Sequence, residues 1–263
     1  MMKTRLLFFA GLLAVATNSF AQKAQDNTEY NAPVTQSQKL NLTNEWDKTF
    51  PKSDKVSHKK VTFHNRFGIT LAADMYIPKN TTSTRNASGK LPAIAVSGPF
   101  GAVKEQASGL YAQTLAERGF LTIAFDPSFT GESGGKPRNV ASPDLNTEDF
   151  SAAVDYLSTN ELVDADRIGI LGICGWGGLA INAAANDSRI KATVASTMYN
   201  MTRVNTNGYF DKGTAEQRYQ LRVELNKQRT EDYRNGSYKR SVMNPKPAAD
   251  APQFMNDYYD YYK

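Results

Sequence analysis

Short apolar runs that alternate with helical patterns are the feature that most limits how this chain can fold. From residue 91 onward the runs read LPAIAVS, FLTIAFD, RIGILGIC and IKATVAS, and helical spacing fills the segments between them. Strands that are apolar on both faces are typical of a parallel sheet with helices on both sides. The crossovers between such strands are right-handed. The alternation therefore predicts an α/β fold.

A β-hairpin is predicted ahead of this sheet. The segment VTFHNRFGITLAADMYIP holds two strand patterns, and Gly68 between them can take the positive φ of a tight turn. We expect Gly119 to end the first helix of the alternation, and Asn146 or Thr147 to begin the next one. The antiparallel hairpin makes the predicted sheet mostly, rather than wholly, parallel.

The first residues have the features of a secretory signal peptide. A positively charged start is followed by an apolar run over residues 6–16, and the small residues Ser19 and Ala21 suit a cleavage site after Ala21. The apolar run is too short to span a membrane. The pattern predicts a signal peptide over residues 1–21 and an exported protein, either periplasmic or secreted.

The rest of the chain divides by composition. Residues 22–55 are polar, without a sustained period, and are predicted to form a flexible leader. Residues 56–263 are predicted to form one α/β domain. Within it the alternation stops after Ser196, and the polar, charged and mostly helical residues 198–250 are interpreted as a lid or insertion.

Composition argues against several classes of partner and cofactor. The formal net charge is +5, but the basic residues are scattered and form no stripe with aromatic residues, so no nucleic-acid partner is expected. No His, Cys and acidic residues are spaced like metal ligands, and we expect neither a metal nor another cofactor. The single cysteine, Cys174, has no partner for a disulfide within the chain, which draws attention to its own chemistry.

Cys174 lies in a motif that resembles a nucleophile elbow. The sequence GICGWGG, residues 172–178, follows a predicted buried strand, and a helix pattern begins at once. In the G-x-S-x-G elbow the nucleophile sits on a sharp strand-to-helix turn, and small neighbours allow the close packing. Cys174 occupies the nucleophile position, and Trp176 stands where the second glycine is expected. The predicted elbow residues around the nucleophile are Gly172, Trp176, Gly177 and Gly178.

The same arrangement predicts how an oxyanion would be held. The positive end of the following helix favours a thiolate at Cys174, and the Gly175 N–H is placed to bind a developing oxyanion. A second N–H is expected from the loop SGPFGAVKEQ that follows an earlier strand. We predict Phe100 as that donor, with Gly101 as the second choice.

Two acidic residues are weaker candidates for the site. Asp126 ends a predicted strand and either lines the pocket or forms an Asp-Pro turn. Glu105 either reaches the thiol from the oxyanion loop or is an exposed acid in the first turn of a helix. Cys174 itself has two other interpretations, a structural cysteine or part of a dinucleotide-binding loop, and the latter predicts stabilisation by a nucleotide.

Three loops together resemble a known family. With SGPFGAVKEQ, AFDPSFTGESGG and GICGWGG in this order, the chain from Lys59 to Lys263 resembles the dienelactone-hydrolase-like branch of the α/β-hydrolase superfamily. The resemblance implies hydrolysis of an ester or related small acyl substrate through Cys174. It also implies an eight-stranded sheet of order 1-2-4-3-5-6-7-8, of which this chain is expected to supply the first six strands.

The resemblance also implies an acid after strand seven and a histidine after strand eight, both beyond the elbow. The two histidines, His58 and His64, precede Cys174. We therefore expect a C-terminally truncated hydrolase that lacks the triad acid and histidine. Two functions remain open: an acyl hydrolase with a cysteine nucleophile, or a non-catalytic binding module or truncated remnant with the same fold.

Overall fold

The computed structural model describes residues 38–80, 84–240, 246–251 and 253–262, all within the unit Ser37–Lys263. The predicted signal peptide and the first part of the predicted leader lie outside the described residues. The strands are β1 (Val56–His64), β2 (Thr70–Pro78), β3 (Leu91–Ser97), β4 (Leu121–Phe125), β5 (Val163–Ile173) and β6 (Ile190–Ser196). The helices are α1 (Ala107–Glu117), α2 (Pro143–Ser158), α3 (Gly175–Asn186), α4 (Met201–Asn207), α5 (Ala215–Asn235) and α6 (Gln253–Tyr262), with a 3₁₀ turn over Tyr209–Asp211.

The six strands form one mixed sheet of order β1-β2-β4-β3-β5-β6. Strand β2 pairs antiparallel with both β1 and β4, and the remaining pairs are parallel. The α/β fold and the order of the first six strands are confirmed. The hairpin turn is also as predicted: Gly68 has a φ of +76°, and its N–H donates to the Asn65 carbonyl at 3.0 Å.

Helices cover both faces of the sheet. On one face, small residues of α1 let the helix pack closely against β3 and β4; the contacting residues include Ala112, Ala116, Val96 and Ala124. On the other face, α2 and α3 bury a larger cluster; it includes Phe150, Leu157, Ala180 and Ala183. The apolar strands are therefore buried on both sides, which explains their lack of alternation.

One predicted helix boundary was wrong. Helix α2 begins at Pro143, with Ser142 as its N-cap, rather than at Asn146 or Thr147. Proline suits the first helical position because it lacks the N–H that would be unpaired there. Asn146 stabilises the first turn from within, since its side chain accepts the Ser142 N–H at 2.9 Å. Gly119 follows α1 with a φ of +98°, as expected of the residue that ends it.

The described part of the leader is packed on the domain, so its prediction as flexible was wrong from Gln38 to Lys55. Phe50 belongs to the core on the α1 face, and the Lys48 side chain is fully buried. The Thr49 N–H donates to the Glu105 carbonyl at 2.9 Å. Two aromatic residues hold this polar segment, because Trp46 packs edge-on against Phe50 and donates from Nε1 to its carbonyl.

The segment that follows β6 is helical and exposed. No residue of α4 or α5 is buried. Helix α5 is supported by its ends: Thr214 and Gln217 form a reciprocal capping box, and Gly236 closes the helix in the left-handed conformation. The described residues thus confirm helices here, and their role as a lid stays a prediction.

None of the described helices combines the length and the apolar composition needed to cross a bilayer.

We predict that Phe50→Ala destabilises the protein by about 3 kcal/mol, because a buried phenylalanine leaves a cavity when it is truncated. Urea unfolding followed by circular dichroism would measure the change. Phe67→Ala is the matched control, since Phe67 is 62% exposed, and it should change the free energy of unfolding by less than about 0.5 kcal/mol. Equal effects of the two substitutions would show that residues 38–55 do not contribute to the core.

Candidate active site

Cys174 occupies a strained turn between β5 and α3. Its backbone has φ +57° and ψ −121°, a conformation rare for a residue with a side chain. Three hydrogen bonds hold it: the Cys174 N–H donates to Ser196 O at 2.9 Å, and its carbonyl accepts the N–H groups of Gly177 and Tyr199 at 3.0 Å. The end of β6 and the first turn of α3 therefore impose the conformation of the elbow.

Two glycines make the elbow possible. A Cβ on Gly172 would lie 2.2 Å from the Trp176 carbonyl oxygen. A Cβ on Gly98, in the loop after β3, would lie 2.4 Å from Ile173 O and 2.8 Å from Trp176 Cβ. The loop after β3 thus supplies the space that a glycine at position 176 would otherwise give. This explains why the motif accommodates a buried tryptophan there.

The predicted oxyanion donors lie side by side. A Cβ built on Gly175 would be 3.3 Å from Phe100 Cβ, and the Phe100 ring packs on Trp176 with centroids 5.4 Å apart. Within the described residues, neither the Phe100 nor the Gly175 N–H donates to another group. Gly101, the second choice, is exposed with a φ of +84°. Two unused N–H groups beside a cysteine can stabilise negative charge on a carbonyl oxygen.

The Cys174 side chain is half-buried and packs against the core on the α1 face. Tyr262 of helix α6 lies near Cys174. Burial raises the pKa of Tyr262, and a hydrogen bond with Tyr258 and the nearby Cys174 raise it further. No imidazole in the described part of the chain hydrogen-bonds the thiol. His58 Nε2 lies instead 2.7 Å from Asp74 Oδ1, and His64 lies at the end of β1, where its backbone is in register with Thr70 of β2.

A cavity of about 450 Å³ opens beside Gly175. Its lining is mostly apolar and contains no charged side chain; the lining residues are Pro143, Gly175, Gly178, Leu179, Ile181, Asn182, Ala185, Met198, Asn200, Met201 and Thr202. Two of its polar groups already have partners, because Asn182 donates to Thr147 Oγ1 and Asn200 Oδ1 accepts the Arg203 N–H. The space next to the elbow is therefore suited to an uncharged group.

Asp126 and Glu105 do not line this cavity but meet around a buried lysine. Lys104 Nζ lies 2.8 Å from Asp126 Oδ2, 2.5 Å from Glu105 Oε1 and 2.8 Å from Glu132 Oε2. Burial alone would lower the pKa of Lys104, but Asp126 and Glu105 outweigh it and raise this pKa. Burial and Asp126 raise the pKa of Glu105. The interpretation of Glu105 as an exposed acid in the first turn of a helix does not explain these contacts. Neither does the interpretation of Asp126 as a residue that only forms an Asp-Pro turn.

The ion pairs continue along the hairpin. Lys60 Nζ lies 2.6 Å from Glu132 Oε2, and Lys48 Nζ lies 3.0 Å from Asp74 Oδ2. The sequence did not predict that these lysines form buried ion pairs, because each lies in a stretch whose composition is typical of solvent-exposed surface. Lys60 lies on the same face of β1 as the buried Val56, which was the one local signal of a side chain facing the domain. The described residues contain no group of three or more His, Cys, Asp or Glu that could hold a metal ion.

A family model described as X-Pro dipeptidyl-peptidase (S15 family) matches residues 68–258. The chain belongs to this family. The α/β-hydrolase superfamily predicted from the three loops is thereby confirmed, with the S15 family as the member that matches. The chain has a hydrolase fold, and every predicted elbow and oxyanion residue lies inside the matched range.

Relatives with similar sequences support the assignment. PA2218 of Pseudomonas aeruginosa, an uncharacterized protein, is 60% identical over 85% of this chain and 59% of its own length. Its crystal structure has a TM-score of 0.79, over 86% of this chain and 69% of that chain. YcjY of Escherichia coli, also uncharacterized, is 39% identical over 79% of this chain and 67% of its own length. The thiohydrolase aneE of Aspergillus aculeatus is 29% identical over 54% of this chain and 42% of its own length. The chain thus spans about 59% of the length of PA2218.

We predict that Gly172→Ala costs at least about 2 kcal/mol of stability, because overpacking against a backbone carbonyl cannot be relieved by a side-chain rotation. Thermal unfolding would measure the loss. Gly89→Ala is the control: Gly89 has a φ of +78° but nothing within 4 Å of a built Cβ, so only backbone strain of about 1 kcal/mol is expected. A Gly172→Ala protein as stable as the Gly89→Ala protein would contradict the close packing of the elbow.

Proposed function

We propose that the chain is an exported acyl hydrolase in which Cys174 attacks the carbonyl carbon of a small, uncharged acyl substrate. The observation that carries the proposal is the elbow itself, a cysteine on a strained strand-to-helix turn beside two N–H groups that no other described group accepts. Such strain persists only where the surrounding structure imposes it, and it clusters at active sites. The signal-peptide pattern of residues 1–21 supports export to the periplasm or the cell exterior.

The first step follows from the positions of these groups. The Cys174 thiolate adds to the acyl carbon, and the carbonyl oxygen takes the negative charge toward the N–H groups of Gly175 and Phe100. The tetrahedral intermediate then collapses, the bond to the alkoxide or phenoxide breaks, and a thioester on Cys174 remains. A thiol nucleophile needs less help from a base than a serine hydroxyl, because a fraction is already thiolate at neutral pH.

The second step, release of the acyl group, needs water and a general base. Water adds to the thioester carbon, its proton passes to the base, and the Cys174 thiolate leaves as the carboxylic acid forms. Such a base contributes about 10²- to 10⁴-fold to the rate, and the described residues place no imidazole on the thiol. We therefore propose that this chain acylates faster than it deacylates. This observation also favours the second candidate function, a hydrolase-fold binding module without turnover.

The cavity beside Gly175 supports the choice of acyl group. Its uncharged, largely apolar lining favours aliphatic or aromatic acyl groups and disfavours charged ones, because a charge moved there would lose hydration without gaining a partner. The X-Pro dipeptidyl peptidases for which the family is named must recognise a protonated peptide amino terminus, and the lining offers no carboxylate for it. The name thiohydrolase, given to one relative, is consistent with the proposed acyl chemistry.

We predict that p-nitrophenyl acetate gives a burst of one equivalent of p-nitrophenolate, followed by a turnover at least about tenfold slower, because the acyl-enzyme accumulates when deacylation lacks its base. Stopped-flow absorbance would measure the burst, and intact-protein mass spectrometry would locate one acetyl group on Cys174. Cys174→Ala should abolish both. A burst of the same size in Cys174→Ala would remove this residue as the nucleophile, and the absence of any burst in the wild type would favour the binding module.

We predict that uncharged acyl groups acylate Cys174 faster than charged ones of similar size. The p-nitrophenyl esters of butyric and succinic acid form a matched pair, and the butyryl ester should react about tenfold faster or more, since each tenfold corresponds to about 1.4 kcal/mol of transition-state free energy. Alanyl-prolyl-p-nitroanilide should not acylate the protein. Preference for the succinyl ester or the dipeptide would contradict the assignment of this cavity to the acyl group.

A further inference from the structure

Asp126 binds Lys104 at two points beside the candidate oxyanion loop. Its Oδ1 accepts the Lys104 backbone N–H at 2.8 Å, and its Oδ2 accepts the Lys104 ammonium at 2.8 Å. We propose that Asp126 and Lys104 are positioning residues that fix the loop of residues 98–103 so that the Phe100 N–H faces the oxyanion. This inference rests on the proposed function.

The anchor is itself rigid. Asp126 follows β4 directly, and its own N–H donates to Ala72 O at 3.0 Å in the centre of the sheet. The side chains of Asp126 and Lys104 are both 0% exposed. Hydrogen bonds between ionised groups are shorter and stronger than neutral ones, and burial shields this pair from competing water. The contact therefore fixes Lys104 to the sheet by main chain and side chain together.

The loop is held at its other end by the elbow. Gly98 packs against Ile173 O and Trp176 with no space for a Cβ. Inside the loop, the Ala102 N–H donates to Pro99 O at 3.1 Å. Phe100 thus lies between an anchor on the elbow and an anchor on β4. Its N–H can serve as an oxyanion donor only if both anchors keep the loop in one position, because electrostatic stabilisation depends on donors that are already in place.

The other partners of Lys104 allow the anchor to be tested without leaving a buried charge alone. In the absence of Asp126 the ammonium would still lie 2.5 Å from Glu105 Oε1 and 2.8 Å from Glu132 Oε2. Asp126→Ala therefore removes the acceptor of the Lys104 N–H, together with that of the Glu132 N–H, while the charge of Lys104 keeps partners. Asp126→Asn retains an oxygen that can accept the Lys104 N–H. If Asp126 acts through the Lys104 main chain, Asp126→Ala should loosen the loop and Asp126→Asn should not. If it acts through its charge alone, both substitutions should loosen the loop to a similar extent.

The experiment compares the two variants in the full chain by amide hydrogen exchange. With Asp126→Ala, exchange over residues 98–104 should become at least about tenfold faster, while residues 172–178 keep their wild-type rates. With Asp126→Asn, exchange over residues 98–104 should stay within about threefold of wild type. Asp149→Asn is the control, because this equally buried carboxylate accepts the Ser128 N–H and lies outside the oxyanion loop. Unchanged exchange over residues 98–104 in Asp126→Ala would overturn the inference.

A second measurement separates the oxyanion contribution from general damage to the site. Acylation of Cys174 by p-nitrophenyl acetate forms an oxyanion, whereas alkylation by iodoacetamide does not. Asp126→Ala should slow acylation by about tenfold or more, since loss of one oxyanion donor costs about 10²- to 10³-fold, and should leave alkylation within about twofold. Equal slowing of both reactions, or of neither, would refute the positioning role. Absence of acylation in the wild type would refute the proposed function instead, and the exchange rates would still decide whether Asp126 fixes the loop.

Discussion

The packing of the loop after β3 onto the turn after β5 is the constraint on which the candidate site depends. A Cβ on either Gly98 or Gly172 would collide with Trp176, so the two glycines allow both backbones to approach it closely. Trp176, within the elbow, packs its ring against the Phe100 ring of the loop after β3. Because the interior is close-packed, neither the loop nor the turn can move without the other. The relative position of Cys174 and Phe100 is therefore a property of the core rather than of two independent loops.

This packing explains why the elbow tolerates a tryptophan at position 176. The usual second glycine of the elbow is replaced by tryptophan, a departure that is visible in the sequence itself. The structure shows that the space needed at this point comes from Gly98, far away in the chain. Such a compensation is invisible locally, because it depends on the parallel pairing of β3 with β5. The close packing that the elbow requires can thus be preserved even when one of the motif's glycines is replaced.

The strands, their order and the elbow could be predicted because each rests on local patterns: apolar runs for buried strands, glycines at turns, and a strand followed directly by a helix. The positions of Asp126 and Glu105 could not be predicted in the same way. Each looks ordinary in its own segment, and their roles arise where the ends of β4, α1 and the hairpin meet. Residues 38–55 were misjudged for the same reason, since Trp46 and Phe50 are isolated apolar residues in a polar stretch, and only tertiary contact reveals them.

A buried lysine beside a candidate oxyanion site needs a physical explanation. An unpaired ammonium there would be costly, and even a paired one commonly stabilises a protein no better than apolar residues of the same shape. Stability alone therefore does not explain why Lys104 is surrounded by three carboxylates. Apolar side chains at positions 104 and 126 could fill the same space, but an apolar residue at position 126 could not accept the backbone N–H of residue 104. The carboxylate supplies this acceptor, and the ammonium balances its charge. Under the proposed positioning role, the ion pair places one backbone segment accurately next to Cys174.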